Sequence, residues 1–85
     1  MADRYHVQHD TSGAQIEIVE RPYRQQMEHP AVEVTVWESI DDNCTILFEE
    51  VNPAYRRLEP AGPVLGTLPR AAVSALEDLG YEVSA

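Results

Sequence analysis

The stretch AVEVTVWESIDDNCTILFEEV, residues 31–51, decides the fold. Val32, Val34 and Val36 alternate with Glu33, Thr35 and Trp37, the period-two pattern of a strand with one buried face. A second alternating run starts at Cys44 and continues through Ile46 and Phe48 to Val51. Between them, Asp41-Asp42-Asn43 supplies turn-forming side chains. Asparagine also tolerates the left-handed conformation that closes a three-residue loop. Pairing Ile40 with Cys44 sets Val36 against Phe48 on one face and Trp37 against Leu47 on the other. The stretch reads as a β-hairpin with one apolar and one mixed face.

Upstream, Arg4–His9 and Ala14–Ile18 alternate in the same way, separated by Asp10-Thr11-Ser12-Gly13. A four-residue turn there pairs His9 with Ala14, which sets Val7 opposite Ile16, Tyr5 opposite Ile18, and His6 opposite Glu17. Residues 22–30 are bracketed by Pro22 and Pro30, which predicts a connection or an edge segment. Tyr23 and Met27 in that segment are candidates to cover the sheet face carrying Trp37.

Downstream, Asn52-Pro53 has the form of a helix start, an N-cap side chain followed by proline. A short helix near 53–59 is expected, ended by Pro60, Gly62 and Pro63. Val64-Leu65-Gly66 reads as a connector. Thr67 reads as the cap of a second helix, 68–79, with Pro69 in its first turn. Leu68, Ala72, Leu76 and Leu79 form its apolar stripe, widened by Val73, and Gly80 stops it. Tyr81 and Val83 alternate with Glu82 and Ser84 as a last short strand. The expected fold is α+β in a single domain, 1–85. A four- or five-stranded, mainly antiparallel sheet made of two hairpins packs on one main C-terminal helix.

The charge is one-sided. All six cationic side chains are arginine, lysine is absent, and fifteen carboxylates give a net charge of −9 on 85 residues. Charge of one sign at this density repels nucleic acid and attracts basic protein surfaces. Arg56 and Arg57, beside Tyr55, are the sole basic cluster and are expected to pair with carboxylates such as Glu59. No apolar run approaches the ~18 residues of a membrane span. The start, Met1-Ala2-Asp3-Arg4, has no signal-peptide pattern, and a single cysteine, Cys44, suits a reducing interior. A cytoplasmic protein is expected. Excess carboxylate with arginine in place of lysine also suits a halophilic or GC-rich organism, where acidity serves solubility.

The chemistry-bearing residues argue against an enzyme. His6 and His9, three apart on a strand, point to opposite faces and cannot hold one metal ion together. Cys44 follows two aspartates, which disfavour its thiolate. The acidic pairs Asp41-Asp42, Glu49-Glu50 and Glu77-Asp78 lie in a turn, along a strand and at a helix end. None gives the two unlike carboxylate environments that acid–base catalysis uses. The alternating oxygen ligands of a calcium loop and the usual phosphate-binding and hydrolase motifs are absent from the sequence. No cofactor and no metal is expected.

Two features point to a partner instead. Trp37 is out of phase with the valines, and with Leu47 it would form an apolar anchor rimmed by Glu33, Glu38 and Glu49. Helix 68–79 carries Arg70 in its first turn and Glu77 and Asp78 in its last, both against the helix dipole. The expected function is a non-catalytic acidic regulator that binds a basic protein surface. A phage or mobile-element inhibitor acting by nucleic-acid charge mimicry is one form of it. The alternative is a stand-alone domain whose acidity keeps it soluble and which self-associates as a homodimer.

Overall fold

The structure, a computed structural model, describes residues 3–21, 29–52, 54–61 and 68–84. The alternating segments become β1 (Arg4–His9), β2 (Gln15–Arg21), β3 (Ala31–Ser39) and β4 (Asp42–Asn52). They are followed by β5 (Arg57–Pro60), α1 (Arg70–Asp78) and β6 (Glu82–Val83). All six strands join one sheet in chain order; each neighbouring pair is antiparallel except β5 and β6, which are parallel.

This overturns the expected four- or five-stranded sheet on a main helix. Strands hold 57% of the described residues and curl into a half-barrel, with one short helix. The main cause lies where a short helix near 53–59 was expected and a turn at 54–56 followed by β5 stands instead. Ala54–Arg56 form a turn, and Arg56 adopts a left-handed φ of 51°, which ends any right-handed helical run. Leu58 is then driven fully inside opposite Glu50, and β5 extends the sheet. Pro53, the Val64–Gly66 connector, the Thr67 cap and residues 22–28 of the proline-bracketed segment lie outside the described residues.

The first hairpin differs from expectation by one residue. Asp10 N–H donates to the Ala14 carbonyl at 2.9 Å, so the loop is Thr11-Ser12-Gly13, with Gly13 at φ 93°. A three-residue loop with a left-handed third position is a favoured hairpin closure. The Asp10 carboxylate accepts from the Ser12 hydroxyl and backbone N–H, which hold its pKa below the ordinary value. Val7 therefore faces Glu17, Tyr5 faces Val19, and His6 faces Ile18. Because side chains alternate, this one-residue change puts Tyr5 and Val7 on the outer face and His6 on the inner one.

The second hairpin is tighter than expected. Its turn is Ile40-Asp41, not Asp41–Asn43, with Ser39 paired to Asp42 and a bulge at Glu38. Val36 meets Cys44, Val34 meets Ile46 and Val32 meets Phe48. The displacement from the expected register is an even number of residues, so the valines still share a face with Ile46 and Phe48.

That face is the concave one. Ile16, Ile18, Val32, Val34, Val36, Ile46, Phe48 and Leu58 form its core. α1 covers it with Ala72, Ala75 and Leu76, while Leu68, Ala71 and Leu79 pack at the margin. Small residues at 72 and 75 let the helix lie close to the sheet, and the expected stripe residue Val73 stays outside the core cluster. The helix ends as the sequence predicts. Gly80 N–H donates to the Glu77 carbonyl and Tyr81 N–H to the Leu76 carbonyl, with Gly80 at φ 91°. This pair of bonds is a Schellman closure.

Candidate protein-binding face

The odd-numbered side chains of β1 to β5 stand on the convex face, where the register sorts them into rows. Tyr5, Val19, Glu33 and Leu47 lie side by side across four strands. The next row holds Val7, Glu17, Thr35 and Thr45, with the two threonine hydroxyls hydrogen-bonded at 2.9 Å. Beyond it, His9, Gln15, Trp37 and Asn43 form a third. On the opposite flank, Arg21, Ala31, Glu49 and Glu59 are neighbours in register.

The expected Trp37–Leu47 pair does not form. Trp37 stands opposite Asn43, whereas Leu47 stands opposite Glu33, four residues back along β3. Trp37 is half-buried, and its indole Nε1 is enclosed without a hydrogen-bond partner. Leu47, Glu33 and Glu49 do share the convex face. Glu38 is exposed at the bulge. Glu77 and Asp78 are exposed at the end of α1, which lies on the concave side of the sheet. The expected site is therefore two surfaces, with the helix end separated from Trp37 by the sheet.

Charge on the convex face is unevenly compensated. Arg21 Nη1 bonds Asp3 at 3.1 Å, and its Nε lies 3.3 Å from Glu33 Oε1, close enough for an ion pair but poorly aligned as a hydrogen bond. Arg57 bonds Glu82 at 2.9 Å, and that bond, with a weaker attraction to the expected neighbour Glu59, raises its pKa. Glu49 and Glu59 stand directly opposite each other on β4 and β5. Directly opposed like charges destabilise a sheet, so folding stability does not explain this pair.

A second polar group closes one end of the concave face, and sequence reasoning missed it. Glu20 lies two residues beyond Ile18 on the inner face of β2. Its Oε1 meets His6 Nε2 at 2.5 Å, and its Oε2 accepts from the Tyr81 hydroxyl at 2.8 Å. The Arg56 guanidinium stacks over the Tyr81 ring, 4.1 Å from its centre. Burial, opposed by Arg56 and reinforced by Glu20, pushes the Tyr81 phenol up to about 12. Burial likewise raises the Glu50 carboxyl, partly offset by Arg56. The expected His6–Glu17 pairing would have hidden this group, because it places His6 on the wrong face.

This group has the properties of a clamp. Both oxygens of Glu20 are engaged, and a phenol held neutral to about 12 is a poor base or nucleophile. Cys44 is exposed at the rim near the second hairpin turn. No cluster of three potential metal ligands occurs among the described residues, and none of their helices is long and apolar enough to cross a membrane. Comparison with known protein families, with curated proteins and with solved structures returns no match for this chain.

Proposed function

We propose that the protein is a non-catalytic interaction protein that binds a basic surface of another protein through its convex sheet face. The opposed carboxylates Glu49 and Glu59, next to the Leu47–Glu33 pair, carry this reading. A like-charge pair that costs stability becomes favourable once a partner's arginine or lysine sits between the two groups. Leu47, Val19 and Trp37 offer apolar contact among the acids, and the net charge of −9 would speed encounter with a cationic partner. A groove that normally holds nucleic acid is one such surface, and occupying it would make the protein an inhibitor. The single exposed thiol, Cys44, suits a reducing, cytoplasmic setting.

The test is affinity capture on the immobilised protein at about 0.05 M and about 0.5 M salt. A captured basic protein should be released at the higher salt and lost with Glu49→Lys and Glu59→Lys, but retained by Glu77→Lys on the other side of the sheet. Capture that ignores both salt and the two reversals would refute the reading. Unfolding of the wild-type chain below about 1 M salt would instead assign the acidity to solubility in a high-salt cell.

A further inference from the structure

Among the described residues the sheet has two open edges, and they are unlike. β6 is two residues long, which leaves little backbone to pair. β1 is six residues long and carries Tyr5 and Val7 at 72% and 60% exposure. Natural edge strands are usually protected by charge, proline, bulges or brevity, and β1 is long, regular and apolar on one face.

β1 is also the one element among those described that contains no carboxylate; β2 to β6 and α1 each carry at least one. In a chain of net charge −9, this edge is where an equally acidic molecule meets least repulsion.

The hydrogen-bond phase of the edge follows from the first turn. Asp10 N–H donates to Ala14 O, so this is a hydrogen-bonded pair. In an antiparallel ladder such pairs alternate. The even residues Gln8, His6 and Arg4 therefore turn their N–H and C=O groups to β2, and Asp3, Tyr5, Val7 and His9 turn theirs to the open edge.

We propose that the β1 edge pairs antiparallel with β1 of a second copy of this chain, about a twofold axis through His6. This register uses the whole strand. It sets Tyr5 against the second copy's Val7, and Asp3 against its His9. Arg4 meets Gln8, and the two His6 residues face each other. Apolar side chains meet apolar ones on the convex face, a carboxylate meets an imidazole at each end, and the open N–H and C=O groups of residues 3 to 9 find partners. Shifting the pairing by two residues in either direction leaves part of the strand unpaired and separates Asp3 from His9. The inference does not rest on the binding face proposed above, whose named residues lie on β2 to β5.

Sedimentation equilibrium of the full chain over about 0.01–1 mM tests the proposal. The mass should rise from 9.6 kDa toward twice that value. Val7→Pro removes an outward N–H without touching the β1–β2 ladder, so it should remain monomeric with an unchanged circular dichroism spectrum. Val7→Lys, which keeps the backbone intact, should do the same if the proline variant does not fold. In a Cys44→Ser background, His6→Cys should form a disulfide-linked dimer on mild oxidation. Facing residues at a non-hydrogen-bonded site have Cα atoms about 4.5 Å apart, within disulfide reach. Gln8→Cys, far from its own copy in this register, should not crosslink. A wild-type chain that stays monomeric throughout would overturn the proposal. So would a dimer that survives Val7→Lys, or equal crosslinking at positions 6 and 8.

Discussion

The Tyr81 hydroxyl donates to the Glu20 carboxylate at 2.8 Å across 61 residues of chain, tying the segment after α1 to the second strand. Tyr81→Phe removes one hydrogen bond to a charged acceptor in a half-buried setting. The expected loss is about 1–2 kcal/mol in urea denaturation. Glu20→Ala should cost more, because His6 and Tyr81 both lose their acceptor.

Alkaline pH should release the same tie. The folded phenol titrates near 12, above the 10.0 of a free tyrosine, so between those values the native state holds a proton that the unfolded chain has lost. Its contribution is present in full below about pH 10 and disappears as the pH rises toward 12. The stability difference between wild type and Tyr81→Phe should stay flat up to about pH 10 and then shrink. Denaturation midpoints measured over that range provide the check.

Gly80 closes the helix at φ 91°, and a Cβ there would meet Arg56 Nη1 at 3.4 Å. Gly80→Ala should cost about 1 kcal/mol from the backbone, since at 3.4 Å the new Cβ only touches the end of the Arg56 side chain. Gly80→Asn should cost less, since asparagine tolerates the left-handed region. Thermal melts of the two variants should rank in that order.

The opposed Glu49 and Glu59 carry a prediction of the opposite sign. Glu59→Arg replaces repulsion by attraction and should raise Tm by about 2 °C in dilute buffer. The gain should fade at high salt, which screens the repulsion in the parent chain. Melting both proteins at two salt concentrations measures this directly.

Phe48, on β4 between Val32 of β3 and Pro60 of β5, is fully buried in the core cluster. Phe48→Ala should cost about 3–5 kcal/mol, a large share of the stability expected for so small a domain. Loss of the cooperative thermal transition would be the readout.

The alternation of Val32, Val34 and Val36 made the central strand and its buried face legible, and Gly80 marked the helix end correctly. Loop length was the weak point, with different consequences in the two hairpins. At residues 10–14 an error of one residue turned β1 over, since side-chain direction has period two. At residues 39–44 an error of an even number of residues left the faces right and separated Trp37 from Leu47. β5 was hidden by the local signal Asn52-Pro53. Only the inward side chain of Leu58 and the left-handed Arg56, both consequences of tertiary packing, make residues 57–60 a strand. The Glu20 clamp was out of reach for the same reason, because it joins residues 6, 20, 56 and 81.

Sheet order that follows chain order has a kinetic consequence. The first five strands join through contacts between sequence neighbours, which form quickly because little loop entropy opposes them. The last step is different in kind. Until α1 and β6 arrive, the concave apolar lining lacks the cover of Ala72, Ala75 and Leu76, and β5 lacks its β6 neighbour. Glu82 N–H donating to the Arg56 carbonyl and Ser84 N–H to the Leu58 carbonyl complete that flank. During synthesis the hairpins would wait as an open apolar trough, and the final seventeen described residues decide when that exposure ends.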